Sequence, residues 1–193
     1  MVLVYIAAGV GVALLLWGAF SFNALVTAHN RVNESWSGVD VQLKRRHDLV
    51  PNLMETVRAY AEHERVVMRA LTEARETAVG SSGRRGRQAA EFELSEAIAD
   101  ARALAERYPE MRASEGFKRL QSQLAEVEGE IQYGRRIYNS NVMLFNARVR
   151  GFPGSLVRRL GGFRKMGYFE LNPVWRSAGA GADAGGESEA AAA

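Results

Sequence analysis

The stretch QLKRRHDLVPNL, residues 42–53, decides how the helices of this chain are divided. A proline disfavours helical backbone angles at the residue before it, so Pro51 predicts a break between two helices. The cations before the break suit the negative end of a helix dipole, and Asp48 suits the N-terminus of the next helix. We therefore interpret Arg46, His47, Asp48 and Pro51 as a charged helix corner, and not as a reactive site or a nucleic-acid patch.

On both sides of this stretch, apolar residues recur at steps of three and four, which is the spacing of a bundle helix. Four such series begin at Leu25, Leu53, Leu94 and Phe117. Loops rich in glycine, serine or proline separate the later series at residues 79–88 and 107–115. The pattern predicts an all-α chain with an up-and-down four-helix bundle over residues 23–151.

The N-terminal segment MVLVYIAAGVGVALLLWGAFSF, residues 1–22, contains no charged side chain. As a helix it would be about 33 Å long, which matches the hydrocarbon core of a bilayer. A cleaved signal peptide would have a cation before a shorter apolar core, and no cation precedes this one. We expect a transmembrane anchor with Tyr5 near one end and Trp17, Phe20 and Phe22 near the other, where aromatic side chains meet lipid headgroups.

Residues 152–176 mix basic and aromatic side chains. Four helices that run out and back would return the chain to the bilayer near residue 150, and this composition suits an anionic headgroup region. We expect membrane contact at Phe152, Arg158, Arg159, Leu160, Phe163, Arg164 and Lys165. In the alternative reading, the apolar residues pack on the open end of the bundle and the cations face water. Residues 177–193 are of low complexity, and we expect them to be disordered.

The composition argues against several classes of function. The net charge is +3, and the last 17 residues hold three carboxylates and no cation, so residues 1–176 carry +6. This excess suits anionic lipid and is too diffuse for a nucleic-acid binder. The chain has no cysteine, its three histidines lack metal-ligand spacing, and no phosphate-binding or nucleophile motif occurs. We expect no metal, no cofactor, no catalytic residue and no nucleic-acid partner.

The asparagines of the first and last helices are spaced by one heptad. Asn23 and Asn30 are seven residues apart, and so are Asn139 and Asn146, so each pair shares a helix face. Two interpretations stay open: the pairs form hydrogen bonds between the first and last helices, or they are exposed polar residues.

Three stretches of the sequence resemble the LemA family: residues 30–64, which begin NRVNESWSG, residues 103–139, which begin ALAERYPEM, and residues 145–170, which begin FNARVRGFPG. The resemblance implies a membrane-anchored, up-and-down four-helix bundle and implies little about activity. One relative takes part in building bacterial magnetosomes, which implies the organisation of membranes or assemblies rather than catalysis. The chain departs from the family at Phe22 and Phe145, where many members have tyrosine.

We interpret the chain as a single-pass bacterial membrane scaffold or adaptor for membrane-associated assemblies or envelope stress response. The alternative is a membrane-tethered sensor or enzyme with a small-ligand site inside the bundle, which a buried polar cluster in a cavity would favour. The expected partners are anionic lipids, membrane or cytoplasmic proteins, and a second copy of the chain. Because no cation precedes the anchor, we expect the N-terminus outside the inner membrane and the bundle in the cytoplasm.

Overall fold

The computed structural model describes residues 1–158 and 161–170, and within these residues it contains helices and no strand. Four long helices are present: α1 (Val2–Tyr60), α2 (Arg65–Gly80), α3 (Gly83–Arg107) and α5 (Glu115–Arg150). Two short helices, α4 (Pro109–Ala113) and α6 (Gly154–Val157), follow α3 and α5. The predicted all-α fold, with a long apolar N-terminal helix followed by an up-and-down bundle, is confirmed. The tail predicted to be disordered lies outside the described residues.

The helix break predicted near Pro51 is wrong, because α1 continues through Pro51 to Tyr60. Proline has no backbone N–H, so in a helix it leaves the carbonyl four residues earlier, here that of His47, without its intrahelical donor. Arg75 on α2 supplies a donor in its place, with its Nε 3.0 Å from the His47 carbonyl oxygen. The first turn of the chain lies at residues 61–64 instead. Arg46, His47, Asp48 and Pro51 therefore lie inside one helix, and the predicted helix corner at these residues is wrong.

The chain forms two compact units, of which unit 1 comprises residues 1–46 and 123–168. In unit 1 the N-terminal part of α1 runs antiparallel to α5. The Arg148 guanidinium donates to the Ala24 carbonyl at 3.2 Å, and farther along α1 Arg45 meets Glu126 at 3.1 Å. Residues later in α1 therefore lie beside residues earlier in α5. The helices approach closely at Gly134, where a Cβ atom would lie 3.0 Å from Val39.

The seam of unit 1 is apolar. Its buried side chains include residues of the predicted series, each exposed by at most 1%: Leu25, Val32, Val39 and Leu43 on α1, and Val127, Ile131, Phe145 and Val149 on α5. Burial of a side chain of this size stabilises the fold by about 1.5–3 kcal/mol. The helical periodicity therefore identified the residues that hold α1 against α5.

Unit 2 comprises residues 47–122 and 169–193, of which 171–193 lie outside the described range. Near its start, His47 on α1 meets Glu91 on α3, and past the end of α1 Glu64 meets Arg107 and Tyr108. The end of α1 and α3 therefore run in the same direction, with α2 returning between them. The Tyr108 hydroxyl donates to the Glu64 carboxylate at 3.0 Å, and this hydrogen bond raises the pKa of Tyr108.

A double-mutant cycle tests whether Arg75 compensates for Pro51. The Arg75→Met substitution should lower the free energy of unfolding by about 1–3 kcal/mol, because the His47 carbonyl loses its donor. In a Pro51→Ala background the cost should shrink by at least about 1 kcal/mol, since the introduced alanine would supply an N–H within the helix. Urea unfolding of the full chain in micelles measures both costs.

The matched control is Arg69→Met, also on α2. Arg69 forms an exposed ion pair with Glu73, with 2.9 Å between the Arg69 Nε and a Glu73 carboxylate oxygen. Its cost should be below about 1 kcal/mol and equal in both backgrounds. Strictly additive costs for Arg75→Met and Pro51→Ala would show that Arg75 does not serve the carbonyl freed by proline.

Candidate membrane-proximal site

The first part of α1 is long and apolar enough to cross a membrane. Its most apolar window has a mean hydropathy of 2.2, and no part of that window is buried within the chain. Tyr5 and Phe20 are exposed by 74% and 73%, as side chains facing lipid would be. Hence the N-terminal helix indicates a membrane location for this protein.

The C-terminal end of α5 lies beside the end of this apolar segment. The ring of Phe152, just past α5, lies 5.2 Å from the ring of Trp17 on α1. Phe152 is exposed by 77% and Leu156 by 71%, so both present apolar surface outward at this end of unit 1. Arg164 and Lys165 are also exposed, whereas the Arg158 side chain is half-buried.

A cluster of rings holds the chain beyond α6 against unit 1. The ring of Phe163 lies 5.8 Å from Phe22, 5.8 Å from His29 and 6.2 Å from Phe145. Rings at these separations attract one another through their edges and faces, beyond the gain from buried area. Phe22 and Phe163 therefore pack against the bundle, while Phe152 points outward. Arg159 and Leu160 lie outside the described residues.

An asparagine fixes the extended segment that follows Phe163. The buried Asn146 amide donates to the Met166 carbonyl at 2.8 Å and accepts from the Met166 N–H at 2.9 Å. The Tyr138 hydroxyl also donates to the Gly167 carbonyl at 2.9 Å. Asn146 thus binds the C-terminal segment and not the first helix, whereas Asn23 and Asn30 are exposed. Sequence reasoning missed this role, because heptad spacing alone does not identify a backbone partner.

Charge is distributed unevenly along unit 1. Residues 1–33 and 139–168 include seven lysines and arginines and no aspartate or glutamate. The carboxylates of unit 1 lie farther from the apolar segment, and several are paired there: Asp40 with Lys44 at 2.9 Å, Glu126 with Arg45 at 3.1 Å and Glu128 with Arg46 at 3.2 Å. Among the described residues of unit 1, the end beside the anchor therefore carries an excess of positive charge.

The residues of the predicted corner occupy different environments. Arg46 is buried in unit 1, whereas Asp48 is exposed. In unit 2 the buried His47 ring lies 2.6 Å from a buried carboxylate oxygen of Glu91. Neither His47 nor Glu91 lines either of two open grooves in the described part of unit 2, and no cluster of metal-binding side chains occurs among the described residues.

These features define a class: an all-α membrane protein in which an apolar helix continues into a helical bundle with a basic, aromatic end. The chain belongs to the LemA family, whose model matches residues 35–178. It is 21% identical over 179 residues to the magnetosome protein MamQ of Magnetospirillum gryphiswaldense. It is 22% identical over 179 residues to magnetosome proteins MamQ 1 and MamQ 2 of Paramagnetospirillum magneticum. Each comparison covers 79% of this chain and 66% of the relative, so the chain spans just under two thirds of their length.

Limited trypsin digestion tests the role of Asn146. The Asn146→Ala substitution removes both hydrogen bonds to Met166, which should cost about 1–3 kcal/mol and raise cleavage after Arg164 and Lys165 by about tenfold. Mass spectrometry of the timed digest measures the cleavage. The Asn23→Ala variant makes the same change at an exposed position and should be cut at the wild-type rate. Equal rates in wild type and Asn146→Ala would contradict the assigned role.

Proposed function

We propose that this protein is a non-enzymatic membrane scaffold that lays the basic, aromatic end of unit 1 on an anionic bilayer. The observation that carries the proposal is the absence of any carboxylate from residues 1–33 and 139–168, which hold seven cations. Each cation near an anionic lipid surface contributes about 1 kcal/mol of attraction. Glu34 and Glu170 are the carboxylates closest in sequence to these ranges, so the cations outnumber the nearby acids and a net attraction remains.

The packing of the Trp17 ring against the Phe152 ring supports the depth in the membrane at which we place this end of unit 1. Because Trp17 lies near the end of the apolar segment, Phe152 and the exposed Leu156 would sit at the level of the headgroups. Arg164 and Lys165 would reach lipid phosphates from the same end. Arg158, Arg159 and Leu160 complete the proposed contact, together with Tyr5 and Phe20 on the anchor.

The scaffold role rests on the family and on the placement of the polar groups. The relatives are named as magnetosome proteins, which supports a role in a membrane-associated assembly for this chain. A buried polar pair that served a sensor or an enzyme would open onto a cavity, and the His47–Glu91 pair lines neither of the two grooves in the described part of unit 2. The proposed partners are anionic lipids, other membrane or cytoplasmic proteins, and a second copy of the chain.

Fluorescence quenching tests the membrane contact directly, because the chain has no native cysteine. A bimane label at Leu156→Cys, in full-length protein reconstituted with brominated anionic lipid, should lose about half or more of its emission, since headgroup-level apolar residues face lipid. The same label at Ser82→Cys, at the exposed start of α3, should keep its emission. Equal emission from the two labels would refute membrane contact at this end of unit 1.

Accessibility of the same Ser82→Cys variant tests the side of the membrane. We propose an inner-membrane protein with its N-terminus outside, because its cations all follow the anchor. A membrane-impermeant maleimide should therefore leave intact cells or spheroplasts unlabelled and react only after lysis. Labelling before lysis would place the bundle on the outer face and reverse the proposed orientation.

A further inference from the structure

A groove lies at the membrane end of unit 1, between α1 and the end of α5. Its volume is about 460 Å³, and its lining includes Ser21 and Ala24 on α1, Ala147 and Arg148 on α5, and Phe152 beyond it. Ligand pockets in proteins typically have volumes of about 300–1,000 Å³. The groove therefore has room for a small polar group with part of an attached chain.

Among the described residues, Arg148 is the one charged residue that lines this groove. Its guanidinium donates to the Ala24 carbonyl at 3.2 Å, and this bond holds the side chain across the two helices. A guanidinium has five N–H donors, so it can make this bond and still bind a phosphate. None of the described residues that line the groove has a carboxylate, so the cation favours an anion there.

The wall of the groove that follows α5 is fixed by close packing. A Cβ atom at Gly154 would collide with the Arg148 carbonyl oxygen and would lie 3.7 Å from Leu25. Glycine therefore lets this turn press against the last turn of α5. The exposed Phe152 ring at the mouth adjoins the apolar anchor through Trp17, so an acyl chain leaving the groove would meet apolar surface.

We propose that this groove binds one anionic phospholipid molecule, with its phosphate on Arg148 and its acyl chains along the anchor. A phospholipid combines the two properties that the groove selects: an anionic group for the guanidinium and hydrocarbon for the adjoining apolar helix. This inference rests on the proposed membrane contact and adds to it a defined site with a stoichiometry of one.

Native mass spectrometry of the full chain in detergent micelles tests the proposal, with phosphatidylglycerol as the probe. The wild type should retain one lipid, and Arg148→Gln should weaken its binding by about tenfold, the effect of losing a charge-assisted hydrogen bond. Arg150→Gln is the matched control, because Arg150 is an exposed cation in the same helical turn and does not line the groove. Its effect should be at most about twofold.

A second variant separates the shape of the groove from its charge. Ala147→Leu keeps every cation and fills the space beside Arg148, so it should also weaken lipid retention. Circular dichroism confirms that each variant keeps its helices. Equal losses from Arg148→Gln and Arg150→Gln, or unaltered retention by Ala147→Leu, would show diffuse attraction and overturn the defined site.

Two further comparisons identify the ligand and separate this inference from the proposed function. Phosphatidylcholine should be retained more weakly, and inorganic phosphate should not displace phosphatidylglycerol at equal concentration. Equal retention of both lipids, or displacement by phosphate, would overturn the assignment of an anionic phospholipid. The Leu156 label reports membrane contact independently, so the groove can fail while the contact stands, and a label that reports no contact refutes the proposed function itself.

Discussion

The carbonyl group of His47 is the constraint on which the rest of the structure depends. Pro51 deprives it of the usual N–H donor inside α1, and Arg75 on α2 takes over at 3.0 Å. The bond from Arg75 offsets the hydrogen bond that proline removes, and α1 continues through Pro51. As a result α1 carries the apolar segment and the first bundle helix without interruption, and the chain first turns at residues 61–64.

Much of the fold could be predicted from the sequence, because helical periodicity is a local signal that reports burial. The first apolar series begins at Leu25 and continues at helical spacing through Val32 and Val39, and all three are buried. The continuation through Pro51 could not be predicted, since the compensating donor is on another helix. The same limit applies to Asn146, whose partner is the backbone of Met166. Local patterns identify what a side chain offers, and only the tertiary structure identifies which group receives it.

The proposed membrane contact depends on the positions of the carboxylate side chains as much as on the positions of the cationic ones. A net charge of +3 suggests a weak field, but this total averages over the whole chain. In unit 1, Glu126 and Glu128 pair with Arg45 and Arg46 at a distance along α1 from the anchor. Of the cations nearer the anchor, only Arg31 has a carboxylate within four residues in sequence, which is Glu34. Attraction to anionic lipid should therefore fall with added salt, because screening acts on exposed charges.

His47 also explains why unit 2 contains a buried polar pair where an apolar seam would suffice. Its carbonyl accepts from α2 through Arg75, and its imidazole bonds to Glu91 on α3 at 2.6 Å. A seam of leucine, valine and alanine allows neighbouring helices to slide by a turn at small cost, whereas a buried polar pair is satisfied in only one register. We interpret His47 as the residue that sets the register of three helices. Because it lies one turn before Pro51, His47 contributes both a carbonyl that proline has freed and a side chain that reaches α3.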